Sequence, residues 1–411
     1  MNDATREFDL VLFGATGFTG QLVAQHLLRH YGADGDLRWA IAGRNAAKLE
    51  EIGASIGTSQ LPSLVVDSHD ANAVKDLARR TKVVCTTVGP YSLHGSPLVA
   101  ACAAAGTHYC DLAGEVHWIA KMIETHHDRA LSSGACIVPC CGFDSVPSDL
   151  GVWFLQNAAI ERFGEPCEQV KFRLKAARGS ASGGTVASLL QVVEAARGDR
   201  DVARTVRHPY SFNPPDQRSG PDRPDSIWPQ YDRDFESWTA PFVMATINTK
   251  VVRRTNALLG ARYGAEFSYE EAVLTGSGIS GRLKAYALAS GMNGLMMGAA
   301  FKPTRHVLRE FVLPKPGDGP NEAQRDNGFF NIALWGRLAD GRHLRAVVTA
   351  DKDPGYGATS GMLGEAAVAL ATDESVAERG GGFWTPASAL GTPYRERLEA
   401  RAGMSFKILD N

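Results

Sequence analysis

Three glycines, each three residues after the last, follow the first apolar run of the chain. Residues 8–13 form that run, and Gly14, Gly17 and Gly20 come directly after it. Glycines here permit a sharp exit from a buried strand, a close approach of backbone to a pyrophosphate, and tight packing of the next helix. The pattern predicts a dinucleotide-binding turn whose diphosphate rests on free helix amides, although an ordinary strand-to-helix turn is the alternative. The candidate cofactor-binding residues of the turn are Gly14, Thr16, Gly17, Phe18, Thr19 and Gly20.

A basic residue ends the second predicted strand, residues 37–42, where Gly43 and Arg44 follow. In folds that prefer NAD, an acidic residue at this point binds the ribose 2′-hydroxyl. The arginine favours NADP instead, because its planar set of donors suits a 2′-phosphate, and Lys48 adds charge nearby. A surface arginine beside a helix start is the alternative. Asp67, which ends the third strand, is placed either to contact the adenine or to cap a loop.

The residues Gly89, Pro90 and Tyr91 follow the fourth predicted strand, residues 82–88. Ligands bind outside the carboxyl ends of parallel strands. We therefore expect this GPY loop to lie beside the nicotinamide ribose of the cofactor.

Six apolar segments that alternate with amphipathic helices are expected to position these residues. The predicted strands are residues 8–13, 37–42, 61–67, 82–88, 107–112 and 135–141. Six strand–helix alternations predict a doubly wound parallel sheet. We assign residues 1–150 to this NADP-binding domain.

The patterning changes after residue 150. Residues 170–176 alternate polar and apolar, and residues 330–338 and 343–350 read as an antiparallel hairpin. We therefore predict a second, α+β domain over residues 151–350, built on a mostly antiparallel sheet. Its proline-rich excursion, residues 208–234, is expected to form no regular element and to be either a lid or a flexible surface loop. The last segment, 351–411, is predicted to contain a helix and to pack back on the first domain.

Residues 285–301 carry no charge, yet this stretch is shorter than the roughly 20 residues that span a bilayer. We expect no transmembrane span. The stretch is interpreted as the wall of an acyl-chain pocket, as a surface in peripheral contact with lipid, or as a buried helix or helical pair.

The composition, 44% hydrophobic and 21% charged with a net charge of −2, is that of a globular protein with no general attraction to nucleic acid. We expect no nucleic-acid partner. Charged residues precede the first strand too closely for a signal peptide, so a cytoplasmic location is expected. Seven cysteines without a CxxC pair predict buried thiols and no metal site. The oligomeric state stays open.

Five motifs together resemble the saccharopine dehydrogenase-like oxidoreductases. They are FGATGFTG at 13–20, AGR at 42–44, the segment 86–115, CGFDSVPSDLG at 141–151 and GGFWTPASALG at 381–391. Within that family the chain is most similar to the trans-acting enoyl reductases that work beside modular polyketide synthases in making cell-envelope lipids. The resemblance implies a Rossmann domain, NADP(H), and reduction of a carbon–carbon double bond in a long, small-molecule or carrier-bound acyl substrate. It also implies a polyketide synthase partner. The lipid-contact interpretation of residues 285–301 would place the protein peripherally at the inner membrane face.

Enoyl reduction of this kind needs a donor to the thioester oxygen and an acid for the α-carbon. Tyr91 is the first candidate and His94 the second, while Ser145 is a candidate for an oxyanion site. Each of the three has a simpler alternative. Tyr91 could be a packing residue, His94 a loop histidine and Ser145 a helix cap. Asp144 and Glu115 are interpreted as structural partners.

Two rival functions stay open. A saccharopine-type amino-acid dehydrogenase would need a polar, cationic pocket. A non-catalytic protein that senses NADP(H) and meets lipid or a protein partner would bind the cofactor without turning over substrate.

Overall fold

The computed structural model describes residues 6–56, 58, 61–179, 183–301, 303–304 and 319–409. The strands are β1 Phe8–Phe13, β2 Trp39–Gly43, β3 Ser63–Val65, β4 Thr81–Thr86, β5 His108–Cys110, β6 Cys136–Val138, β7 Gln169–Arg178, β8 Gln230–Asp232, β9 Ser237–Pro241, β10 Ser268–Gly276, β11 Phe329–Arg337, β12 His343–Ala350, β13 Gly382–Phe383 and β14 Met404–Leu409. The α-helices are α1 Phe18–Tyr31, α2 Ala46–Ser55, α3 Ala71–Arg80, α4 Tyr91–His94, α5 Ser96–Ala105, α6 Val116–Ser133, α7 Val146–Phe163, α8 Gly183–Gly198, α9 Arg200–Arg207, α10 Ala245–Leu258, α11 Gly278–Ala300, α12 Glu322–Asp326, α13 Thr359–Thr372, α14 Glu374–Arg379 and α15 Pro386–Arg401.

The first sheet is parallel throughout, in the order β3-β2-β1-β4-β5-β6-β13. All six residues of β1 are buried, as expected for a central strand covered by helices on both faces. The strand order reverses between β1 and β4, and a doubly wound sheet binds its ligand at such a reversal. The predicted Rossmann sheet is confirmed, and β13 adds a seventh strand from the far end of the chain.

The second sheet is mixed, in the order β14-β12-β11-β7-β10-β9-β8. The pair β7 and β10 is parallel, and the other neighbours are antiparallel. The predicted hairpin is present, with Phe330 opposite Ala350 and Arg337 opposite His343. The expectation of a mostly antiparallel second sheet is therefore confirmed.

The proline-rich excursion, 208–234, differs from the prediction in containing regular structure. Residues 215–217 form a 3₁₀ turn, and β8 pairs with β9. Tyr210 and Phe212 are buried, and Asp222 accepts a hydrogen bond from Arg253 of α10 at 2.5 Å. The expectation of an irregular segment was wrong, because buried aromatic side chains and this ion pair fix the excursion against α10.

The tail, 351–411, divides between the two sheets. Helix α13 packs against α1, β4 and β5, and β13 extends the first sheet, whereas β14 pairs with β12 in the second. The domain boundaries at 150 and 350 stay predictions.

A buried carboxylate joins α13 to α1. Glu365 is fully buried and accepts hydrogen bonds from Tyr31 Oη at 2.6 Å and from His26 Nε2 at 2.8 Å. Arg397 Nη1 of α15 lies 3.9 Å away. Three helices therefore meet on a single side chain.

We expect Glu365→Ala to lower the free energy of unfolding by about 3 kcal/mol, because it leaves buried donors without an acceptor. Glu365→Gln, which keeps an acceptor, should lose less than Glu365→Ala. The exposed Glu378 supplies the control, Glu378→Ala, which should be neutral. Denaturant unfolding measures all three, and equal stability of the two alanine variants would contradict this account.

Candidate active site

The turn after β1 is shaped by backbone contacts that leave no room for side chains. Gly14 has φ +96°, and a Cβ there would lie 2.7 Å from Val88 Cγ2. A Cβ on Gly20 would lie 2.2 Å from the Gly14 carbonyl oxygen. Gly17 is the N-cap of α1 and contributes no capping side chain, so the first helix amides are left for a ligand. The residues present therefore fit a dinucleotide diphosphate.

A cavity of about 430 Å³ opens from this turn. The turn residues 17–20 and the GPY loop line one part of it. Much of the remaining wall comes from three helices. It is lined by residues within 187–193 of α8, residues within 243–247 at the start of α10, and Met296 of α11. Among the described lining residues, Asp144 is the only side chain of the Asp, Glu, Lys, Arg or His types. The wall away from the turn is therefore apolar.

Phe18 and Tyr356 form an aromatic corner of the cavity. Their rings pack edge to face with centroids 4.8 Å apart, and the Arg325 guanidinium lies 5.7 Å from the Phe18 ring centre. Tyr356 Oη also accepts a hydrogen bond from Gly183 N at 3.2 Å. This corner joins the dinucleotide turn to the start of α8.

The GPY loop is held by Glu115. This fully buried carboxylate accepts hydrogen bonds from Tyr91 N at 2.6 Å and Ser92 N at 3.0 Å, and from Ser188 Oγ of α8 at 3.1 Å. Glu115 therefore positions the loop against α8, in line with its interpretation as a structural partner.

The Tyr91 phenol makes two hydrogen bonds with backbone groups. It donates to the Thr86 carbonyl at 3.1 Å and accepts from Leu112 N at 3.1 Å. Burial raises the pKa of Tyr91 well above its usual value. Tyr91 lines the cavity, but this geometry favours a positioning role, and proton donation by Tyr91 stays a prediction.

His94 lies with Asp67 outside the cavity. His94 Nδ1 is 3.3 Å from His69 Nε2, and His69 Nδ1 is 3.3 Å from Asp67 Oδ1. Partial burial and the neighbouring His69 lower the pKa of His94. Asp67 accepts a hydrogen bond from His69 N at 2.9 Å, which lowers its pKa and caps the loop. His94 is therefore not among the described residues that line the cavity.

Arg44 and Lys48 are exposed at the end of β2, near this histidine pair. Gly43 precedes them as a buried residue that packs against Thr16. Asn45 caps α2 by accepting from Lys48 N at 3.1 Å. Neither cation forms an ion pair with another described residue, and both follow β2 at the edge of the sheet where the adenosine end of a dinucleotide would lie.

Ser145 lies beneath the cavity wall. Its Oγ donates to Asn248 Oδ1 at 3.3 Å, and Asn248 Nδ2 donates to Ser148 Oγ at 3.1 Å and to Glu271 Oε2 at 2.9 Å. Burial raises the pKa of Glu271 to about 7. Ser145 thus belongs to a buried polar network that links α7 to α10, and its oxyanion role stays a prediction.

Sequence reasoning missed Tyr356 and Ser188, which come from distant segments. Met296 lies in residues 285–301, for which the wall of an acyl-chain pocket was one of the interpretations. The sequence analysis also interpreted Asp144 as a structural partner, whereas in the structure this residue lines the cavity. Burial raises the pKa of Asp144 to about 7. The motif around Asp144 was visible in the sequence, but the direction of its side chain was not.

Two further features concern metals and membranes. Within the described ranges, no group of three or more His, Cys, Asp or Glu side chains is arranged to hold a metal ion. All seven cysteines are buried free thiols. No helix in the same part of the chain has the length and apolarity needed to cross a bilayer.

Known proteins match this chain over its full length. Residues 10–138 match the saccharopine dehydrogenase NADP binding domain. A Mycobacterium tuberculosis protein named as a candidate trans-acting enoyl reductase is 40% identical over 99% of each chain. A Mycobacterium ulcerans trans-acting enoyl reductase is 36% identical over 97% of each chain. The chain belongs to the saccharopine dehydrogenase-like oxidoreductase family.

This saccharopine dehydrogenase-like protein also shares its fold with a solved structure. The saccharopine dehydrogenase (L-Glu forming) of Saccharomyces cerevisiae aligns with a TM-score of 0.53 at 13% identity, over 98% of this chain and 99% of that one. The match supports the two-sheet architecture. The family match makes the protein an oxidoreductase that carries an NADP-binding domain, and its full-length relatives are named trans-acting enoyl reductases.

We expect Arg44→Ser to weaken NADPH binding at least tenfold and to leave NADH binding nearly unchanged, because the predicted partner of the guanidinium is the 2′-phosphate, which NADH lacks. Cofactor titration by fluorescence measures both dissociation constants. Arg79→Ser, an exposed change on α3, is the matched control. Equal loss for both cofactors would contradict a 2′-phosphate contact.

Proposed function

We propose that this protein is an NADPH-dependent trans-acting enoyl reductase that reduces a carbon–carbon double bond in a long acyl or polyketide intermediate of lipid biosynthesis. The observation that carries the proposal is the apolar cavity that opens from the dinucleotide turn. The names of the full-length relatives support the same reaction class.

The cavity wall distinguishes this function from the amino-acid alternative. A saccharopine-type substrate carries several carboxylates and an amine, and burying them requires cationic partners. The described lining residues include no Lys, Arg or His. Leu189, Val192 and Met296 instead present flexible and branched apolar groups that suit an alkyl chain.

The residues of the site divide the work of the reaction. When bound, NADPH would supply a hydride to the β-carbon of the unsaturated thioester. The amides after Gly17 would bind the diphosphate, and Glu115 would hold the GPY loop beside the reacting carbons. The apolar wall would exclude water, which strengthens every polar contact made with the developing charge. Delivery of the acyl group by a carrier domain of a polyketide synthase is part of the proposal.

We expect the purified protein to oxidise NADPH in the presence of long 2-enoyl thioesters, with kcat/KM rising as the chain lengthens because more apolar surface is buried. Short enoyl thioesters and saccharopine or its oxo-acid and amino-acid precursors form the comparison panel. Absorbance at the reduced-nicotinamide band measures turnover. Turnover with amino-acid substrates alone would favour the dehydrogenase alternative. NADPH binding without turnover of any of these substrates would favour a sensor.

We also propose that α11 places the protein at the inner membrane face. The helix is a single element with one exposed side, so the interpretation of residues 285–301 as a buried helix or helical pair was wrong. Leu283 and Met297 are 67% and 66% exposed, while Met296 lines the cavity. Residues 276–301 include Arg282 and Lys284 and no acidic residue. A basic and apolar helix face of this kind suits an anionic lipid surface.

We expect the protein to cosediment with vesicles that contain phosphatidylglycerol, and the double change Leu283→Glu and Met297→Glu to weaken this binding at least tenfold. Leu131→Glu is the matched control, since Leu131 is 58% exposed on α6. Absence of vesicle binding by the unmodified protein would contradict the lipid contact. A shift from dimer to monomer in the double variant would assign the face to a second copy instead.

A further inference from the structure

Asp144 lies in the cavity without a hydrogen-bond partner. It is the only acidic or basic side chain among the described residues that line the cavity, and no other described residue donates to its carboxyl group. Buried carboxyl groups are normally hydrogen-bonded, because desolvation without a partner costs free energy. An unpaired carboxyl in an apolar cavity therefore points to a role toward a ligand.

The neighbouring buried carboxyl groups differ from Asp144 in this respect. Asp111 accepts from Tyr109 Oη at 2.7 Å and from two backbone amides. Asp149 accepts from Ala387 N at 2.8 Å and from Thr255, and Glu115 holds the GPY loop. Each of these three is engaged in structure. Asp144 alone among the four faces the cavity with its hydrogen-bonding capacity unused.

The loop that carries Asp144 is fixed by its backbone. Phe143 N donates to Thr359 Oγ1 at 3.0 Å, and Ser145 N donates to Gly142 O at 3.1 Å. A Cβ on Gly114 would lie 3.7 Å from Asp144 Oδ2, so the carboxyl group faces the loop that follows β5. The carboxyl group thus has a defined place on the same side of the cavity as the GPY loop.

The two donors predicted from sequence lie less well for the reaction. Tyr91 Oη is engaged by two backbone groups, and His94 lies outside the cavity wall. A proton for the substrate must come from a group within reach of the reacting carbon. Within the described lining, Asp144 is the only carboxyl group that faces the cavity and could supply this proton.

We propose that Asp144, in its protonated form, is the catalytic acid that protonates the α-carbon of the enoyl substrate. This inference rests on the proposed function. Bound NADPH would supply the hydride for the new bond at the β-carbon, which would leave NADP⁺ and the enolate of the thioester. The O–H bond of Asp144 then breaks as the α-carbon–hydrogen bond forms, and the resulting carboxylate regains a proton from solvent.

Burial supports this protonated form, since it raises the pKa of Asp144 to about 7. Of the titratable groups, the Cys140 thiol is close enough for its pKa to respond to Asp144, and the Tyr91 and Tyr356 phenols line the same cavity. An acid of this kind is active when protonated. The kcat should therefore fall as pH rises through about 7.

We expect Asp144→Asn to lower kcat by about 100-fold or more while leaving NADPH affinity unchanged, which is the usual range for loss of a general acid. The kcat of this variant should also no longer decrease as the pH rises above 7. Asp144→Glu should recover part of the activity with a shifted pH profile. Asp36→Asn, at an exposed carboxyl, is the control. Retained NADPH binding shows that each variant is folded.

Reaction in deuterated water adds a measurement, the position and face of deuterium incorporation, that would not change if Asp144 were only structural. Unmodified protein should place one solvent deuteron at the α-carbon on a single face, and Asp144→Asn should lose this facial selectivity in its residual product. If unmodified protein reduces enoyl thioesters and Asp144→Asn keeps both its kcat and its pH profile, the acid is another residue. If unmodified protein reduces no enoyl thioester, the proposed function itself fails.

Discussion

The close approach of two backbone segments at the end of β1 is the constraint on which the site depends. A side-chain carbon on Gly20 would overlap the Gly14 carbonyl oxygen, and one on Gly14 would overlap the side chains of Val88 and Thr87. This contact sets the entry angle of α1 and turns its first amides toward the cavity. An anion-binding site is thereby created from backbone alone, and only glycine satisfies it.

The rest of the site depends on segments that are far apart in the chain. Glu115 ties the GPY loop to α8 through Ser188, and Thr359 at the start of α13 fixes the loop that carries Asp144. The first sheet thus supplies the cofactor turn and the carboxyl groups, while α8, α10 and α11 supply the apolar wall. A change in the packing of either group of elements would alter the cavity between them.

Local sequence patterns were sufficient to predict the first six strands of the first sheet. They were insufficient to predict β13, the seventh strand. The first six strands followed from apolar runs that end in glycine or polar turns, because buried parallel strands leave such a signal. Strand β13 has only two residues, Gly382 and Phe383, which is too short to show any period. The excursion at 208–234 was misjudged for a related reason, since its order comes from the partner Arg253 and not from its own composition.

The same limit explains the choice among proton donors. Residue type and place in the chain favoured Tyr91, yet the direction of a side chain is decided by the groups it meets after folding. The Thr86 carbonyl and Leu112 amide take both hydrogen bonds of the phenol, and no comparable pair meets Asp144 in the described chain. The Tyr91 phenol would have to break hydrogen bonds with the backbone in order to bind a substrate. The unpaired carboxyl group of Asp144 would break none. The reactive group of an apolar cavity is therefore best sought among the polar atoms that folding leaves without a partner.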